Sequence, residues 1–244
     1  GALIGWQLRQ RGRVGDGAPQ PGRDGILLDL LQARGHAGLA EIFLGENVGC
    51  DLAELGGNVD VGEPGAEYRE TLATASQAAA AGGVTTVVCQ PDTDPVIDDV
   101  ALVDFILRRA RDTALVHVHP MAAMTRDLRG EEMAEIGMLR EAGAVAFTNG
   151  KTSVANARLM RHVLSYAKDF DALVVHHLED ASLSQDGVMN EGEVATRLGL
   201  RGIPTEAETI VLERDIRLVE LTGGRYHAGQ ISCRASLDVI RNAK

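Results

Sequence analysis

The chain has 244 residues, 45% of them hydrophobic and only 3% aromatic, with a formal net charge of −11. That length is enough for one large domain, and the composition builds its core from Ala, Val, Leu and Ile. The 24 Lys and Arg and the 35 Asp and Glu are interspersed, which excludes the clustered basic surface a nucleic acid needs and reads as an ordinary acidic cytosolic surface.

Cys50, Cys89 and Cys233 are odd in number, far apart, and form no Cys-x-x-Cys pair. Cys89 sits in an apolar run and reads as a buried thiol. Residues 1–10 hold a short apolar run broken early by Arg9, unlike a signal peptide. No stretch approaches about 18 uninterrupted apolar residues, so no membrane span is expected and a reducing cytoplasm is the expected compartment.

Residues 1–55 are poorly patterned and are set apart from the rest, as a possible small β subdomain. Within them, 12–24 is a loop rich in Gly, Pro and Arg, 25–34 is a strand or short helix, and 38–54 holds an apolar patch. Residues 56–244 form a second, regular domain. A strand and tight turn over 58–65 (Asn-Val-Asp-Val-Gly-Glu-Pro-Gly) lead into an Ala-rich helix over 66–81, stopped by Gly82 and Gly83. A β-branched run over 84–89 predicts a strand buried on both faces. A turn over 91–95 precedes a helix over 98–111 with apolar Val100, Val103, Ile106 and Leu107.

The unit then repeats. Strands are predicted over 114–119, 144–148, 173–176 and 226–232, and helices over 130–142, 153–168, 204–221 and from 235 to 242. A long insert, 178–202, follows the 173–176 strand. Strands and helices alternating at about 30-residue spacing imply βαβ units and a parallel sheet of about six strands. An open doubly wound sheet and a (β/α)8 TIM-type barrel incomplete in this chain both fit; the long insert after a strand's C-terminal end favours the barrel.

Six short motifs occur in order: Gly62-Glu-Pro-Gly-Ala-Glu-Tyr-Arg-Glu-Thr71, Ala79-Ala-Ala-Gly-Gly-Val-Thr-Thr-Val-Val88, Pro91-Asp-Thr-Asp-Pro95, Gly143-Ala-Val-Ala-Phe-Thr148, Val188-Met-Asn-Glu-Gly192 and Gly199-Leu-Arg-Gly-Ile-Pro-Thr-Glu-Ala-Glu208. Each alone is weak. Together they resemble dihydroorotases of the amidohydrolase superfamily, over roughly residues 57–244. The resemblance implies an α/β barrel and the reversible cyclisation of carbamoyl-aspartate to dihydroorotate in pyrimidine synthesis. Such chemistry needs a divalent metal to activate water and polarise the amide, held by imidazoles and carboxylates, and a cation to grip the substrate's carboxylate.

Most of that equipment is replaced here. The family's His-x-His falls on Asn58 and Asp60, its carboxylate-binding Arg on Gly62, and its substrate-binding Asn on Asp92. The bridging acid falls on or near Asn149, in a loop one residue short, and a further metal His falls on Gln230. Only His177, in His-Leu-Glu-Asp180, matches a metal ligand; the family's eighth-strand Asp would lie beyond Lys244. The pattern resembles the inactive dihydroorotase-like proteins that accompany aspartate transcarbamoylase, which implies no cofactor and a hetero-oligomer whose contact surfaces are the 178–202 insert and the barrel helices. The alternatives are an active metal-dependent amidohydrolase, with zinc in a rearranged mononuclear site drawn from Asp60, His176, His177 and Glu179, or a metabolite-binding module.

Blander readings stand beside these. Glu63-Pro64-Gly65 serves equally as a turn, and His176 and His177 end an apolar strand where hydrogen-bonded core histidines are common. His117 and His119 read as structural, Lys151 as a surface charge, and Glu191 as fixing the insert.

Overall fold

A computed structural model describes residues 42–44 and 57–243. In chain order the elements are β1 (Ile42–Leu44), β2 (Gly57–Val59), α1 (Leu72–Ala81), β3 (Thr86–Cys89), α2 (Val100–Thr113), β4 (His117–Ala123), α3 (Ile136–Glu141), β5 (Ala146–Thr148), α4 (Ala157–Asp169) and β6 (Leu173–His176). The insert contributes α5 (Ala181–Ser184), β7 (Met189–Asn190), α6 (Glu193–Leu198) and β8 (Gly202–Ile203). It is followed by α7 (Glu206–Thr222), β9 (Arg225–Ala228) and α8 (Arg234–Ala243).

Sheet order decides between the two architectures. The strands lie in the order β1-β9-β6-β5-β4-β3-β2, and the six from β2 to β9 pair in parallel. Their spatial order follows the chain order without a reversal. A doubly wound sheet would switch direction once and carry helices on both faces, whereas right-handed crossovers that never reverse keep every helix on one side. This is barrel winding, with the six parallel strands counted from the sequence.

Side chains sort accordingly. Val88, Met121, Ala146, Leu173 and Val175, which face the same way in register across β3 to β6, pack together on the inner face. Val87, Cys89, Val118, Ala122, Phe147, Val174, Tyr226 and Ala228 face the helices. The Cys89 thiol is buried on that outer side, and burial pushes its pKa up to about 12. It is an inert core group, as its apolar setting implied.

Several predicted boundaries move, each for a local reason. The first helix starts at Leu72, not at residue 66, because Thr71 forms a capping box with Thr74 and the buried Glu63 carboxylate accepts the Leu72 N–H at 2.9 Å. The fourth starts after Asn156, not at 153, because the backbone before it is bonded to the end of β6. Residues 130–135 belong to a loop that pairs Thr125 with Met133, which shortens α3. Strand β4 runs through Pro120, lacking only a donor there; the Pro120 carbonyl still accepts the Val145 N–H at 3.0 Å. Strand β9 stops at Ala228, and Ser232, two residues before the last helix, bonds instead to Glu208 on α7.

Of the possible N-terminal subdomain, residues 1–41 and 45–55 lie outside the described residues, as does residue 56 of the second domain. Strand β1 pairs antiparallel with β9, Ile42 opposite Ala228. No helix among the described residues is long and apolar enough to cross a membrane.

The junction of α7 with α8 rests on one buried acid. Glu208 accepts hydrogen bonds from the Ser232 amide (2.7 Å) and hydroxyl (2.6 Å), the Cys233 amide (3.3 Å) and the Ser236 hydroxyl. Replacing Glu208 with Ala removes the acceptor for all of them. The expected loss is about 2–3 kcal/mol, read as a lower urea midpoint at unchanged m-value.

Candidate functional site at the C-terminal mouth

A parallel strand buried on both faces can place polar chemistry only at its ends, and the candidate residues gather at the C-terminal ends. Asn58 lies on β2 in register with the inward Val88, and Asp60 follows that strand. Asp92 follows β3, Asn149 and Lys151 follow β5, His177 follows β6, and Gln230 follows β9.

The structure brings three of these together. Lys151 Nζ lies 2.5 Å from Asp60 Oδ2 and 3.5 Å from Asp92 Oδ2. The hydrogen bond to Asp60, with the two carboxylate charges, raises the Lys151 pKa against the opposing effect of partial burial. Lys151 is a surface charge, as expected from sequence, but one paired with two acids at the mouth. Its route there is set by Gly150, whose φ of +61° turns the shortened loop back against Asp92.

His177 and Glu179 form a second pair, Nε2 to Oε2 at 3.1 Å. Ser184, and after it His177, hold the Glu179 carboxyl below the usual range against the effect of burial. Ser153 knits this segment to the β5 loop: its hydroxyl donates to the His177 carbonyl and accepts the Glu179 N–H at 3.0 Å.

The remaining candidates point elsewhere. Buried Asn149 spends its amide on the loop after β4, with Oδ1 accepting from the Thr125 hydroxyl at 2.9 Å and Nδ2 donating to the Leu128 carbonyl at 3.3 Å. Gln230 is exposed. Gly62 has no room for the Arg of the resembled family: a Cβ there would lie 2.2 Å from the Ala66 carbonyl oxygen. Glu63, next to it, is a buried structural acid bonded to Arg109 and the Leu72 amide. His117 and His119 belong to the opposite, N-terminal half of β4. Glu191 acts through its backbone, its N–H donating to the Ile203 carbonyl at 2.8 Å.

His176 is turned away from the mouth. It is fully buried on the helix side, its Nε2 accepting the Val154 N–H at 2.8 Å. That bond leaves the ring proton on Nδ1, which faces Asp215 Oδ2 at 2.5 Å. Both ring nitrogens are thus committed, and the rearranged metal site loses one of its proposed ligands. Asp215 also accepts from the Tyr226 hydroxyl (2.8 Å) and from Arg214 (2.9 and 2.7 Å), whose Nη1 reaches the Ala155 carbonyl. Burial acts to raise the Asp215 pKa, but His176, Arg214 and Tyr226 together bring it below the ordinary value. On the inner face, His227 sits in register with Val175, and burial pushes its pKa down to about 4, so it is neutral at physiological pH.

These donors do not fit the two-metal centre of the resembled family. An ammonium occupies the space beside Asp60, Asn149 and His176 are spent on the scaffold, and Gln230 contributes no imidazole. Among the described residues, no group of three or more His, Cys, Asp or Glu is placed to hold a metal ion. Lys151 was the residue sequence reasoning missed. Two acids at neighbouring strand ends, with a Lys three residues beyond β5, were the available signal.

Comparison with known proteins gives consistent matches. The family model described as Dihydro-orotase-like matches residues 52–236. A protein named dihydroorotase from Syntrophus aciditrophicus (strain SB) is 40% identical over 247 residues, covering 97% of this chain and 58% of that protein. Another of that name, from Syntrophobacter fumaroxidans (strain DSM 10017 / MPOB), is 47% identical over 187 residues, covering 77% of this chain and 43% of its own. The chain spans about half the length of the curated relatives it matches. Among solved structures, the L-hydantoinase (dihydropyrimidinase) from Arthrobacter aurescens superposes with a TM-score of 0.55 at 20% identity, over 69% of this chain and 39% of that one. The D-hydantoinase from Bacillus sp. AR9 gives 0.52 at 20% identity, over 70% and 39%. At that identity the likeness speaks for the fold alone, and it agrees with the barrel winding.

Two substitutions probe this geometry. Gly62→Arg must displace the 62–66 turn, closed by the Ala66 N–H on the Gly62 carbonyl at 2.5 Å, and is expected to cost about 1–3 kcal/mol in urea unfolding. Asp215→Ala leaves buried His176, Tyr226 and Arg214 donors without their acceptor and is expected to cost about 3–5 kcal/mol at neutral pH. The Asp215 pKa is lowered on folding, so its contribution is complete above its unfolded value of about 4 and is lost as pH falls through the folded value. The gap between native and Asp215→Ala midpoints should therefore narrow as pH falls below about 4.

Proposed function

The chain belongs to the dihydroorotase-like family, and from that premise we propose that it serves pyrimidine synthesis as a non-catalytic barrel, a structural partner of aspartate transcarbamoylase. The observation that carries this reading is the Lys151 ammonium between Asp60 and Asp92, where a catalytic member would need metal ligands and a site for an anionic substrate. A dicarboxylate would meet Asp92 where the resembled family presents an Asn, and no Arg at Gly62 to receive it. The insert supplies a candidate contact surface, with Leu183, Val188, Val194, Leu198 and Leu200 all exposed.

A second reading has its own support. The curated relatives quoted above, 40% and 47% identical, are named dihydroorotase, which favours an active, zinc-dependent cyclic-amide hydrolase over a non-catalytic one. That activity requires donors other than His176 and Asn149, and it requires Lys151 to release Asp60.

Protein purified without chelators decides between them by metal analysis and dihydroorotate hydrolysis. The first reading expects substoichiometric zinc, no hydrolysis, and co-purification with aspartate transcarbamoylase, whose activity falls when this protein is withheld. About two metals per chain together with hydrolysis establishes the second.

A further inference from the structure

We infer that Lys151 is a built-in cation that bridges the acidic mouth in place of a divalent ion and keeps such ions out. The inference rests on the non-catalytic reading and extends it to the binding properties of the native mouth. Asp60 and Asp92 each place a carboxylate oxygen within 3.5 Å of one nitrogen, so the two acids face a common point. Without a cation at that point their charges repel. Topology makes the arrangement specific. Strands β2 and β3 are paired neighbours, but β4 and β3 lie between β5 and β2 in the sheet. The loop after β5 thus reaches past two strands to the end of β2, a contact available only across the concave inner side of a curved sheet. Gly150 supplies the turn that aims it.

An ammonium at this point differs from a metal in two ways. It has three donors and no vacant coordination position, so it cannot activate a bound water. It is covalently part of the chain, so no chelator removes it. Its side chain is 70% exposed and that of Asp60 is 54% exposed, so solvent screens the pair and its direct effect on stability is small. Metal response is therefore the informative readout. Removing the amine leaves two facing carboxylates, an oxygen ligand pair for a hard divalent cation.

Native protein, Lys151→Met, Lys151→Arg and Lys151→Met with Asp60→Asn and Asp92→Asn are compared by thermal melting, after chelator treatment, with and without millimolar Mn2+. Native protein and Lys151→Arg should shift by less than about 1 °C. Lys151→Met should gain about 3 °C or more, and the triple variant should lose that gain. A Lys151→Met variant as unresponsive as metal-free native protein overturns the inference and leaves the functional reading standing. A native protein that responds to Mn2+ as strongly as Lys151→Met overturns the inference, and dihydroorotate hydrolysis by that metal-loaded protein overturns the functional reading with it.

Discussion

Asp215 is the charge on which the second half of the barrel depends. A carboxylate with no solvent contact is tolerated only when donors surround it, and here they come from three places: the His176 ring at the end of β6, the Tyr226 hydroxyl on β9, and Arg214 beside it on α7. Through His176 the same cluster reaches the Val154 amide, and through Arg214 the Ala155 carbonyl, so the segment leading into α4 is held as well. One buried acid thus fixes a helix, two strands and the loop that borders the mouth.

Glu63 and Glu208 act in the same way elsewhere. Glu63 joins the start of α1 to Arg109 on α2, and Glu208 receives Ser232 and Cys233 just before α8 and Ser236 within it. All three acids are buried in the layer where helices meet strands or each other, and their partners are backbone amides or side chains of the scaffold. The acids of the mouth, Asp60 and Asp92, are instead paired across open space by a single flexible lysine. Substitution at the mouth leaves the helix–strand layer untouched. This separation allows residues at the mouth to vary while the turns and helices of the scaffold are retained.

The sequence was most informative where one force acts alone. Strand β6, a continuous apolar run, has the bounds predicted for it, because burial on both faces leaves no other reading. Helix starts were read too early at 66 and 153, where the backbone amides of Leu72 and Val154 donate to side chains earlier or later in the chain, Glu63 and His176. Barrel winding could be preferred from the insert but was decided only by strand order. At the mouth, mapping against the family located every candidate position but Lys151, and it could show which residues differ from the family pattern. It could not show that Asn149 turns to Thr125, or that Lys151 crosses to Asp60, since both depend on how the loop after β5 closes. The sequence left His176 open between hydrogen-bonded core and metal ligand, as it did His177; alternation along the strand turns the His176 side chain to the helices, where it is buried against Val154 and Asp215.

The difference between a metal ion and a lysine at such a mouth is one of kind. Both satisfy the electrostatic demand of converging carboxylates, and both tie strand ends that the hydrogen-bond ladder leaves apart. Only the metal adds open coordination positions and the power to polarise a carbonyl. On the non-catalytic reading proposed above, the mouth keeps the charge balance that the fold requires of that position and lacks the Lewis acid that the reaction requires. Neighbouring substitutions follow the same division. Gly62, too crowded for any side chain, lets the turn close on Ala66, and Asn149 braces the loop after β4. Each serves the scaffold at a position where the resemblance implies a substrate contact (Gly62) or a metal ligand (Asn149).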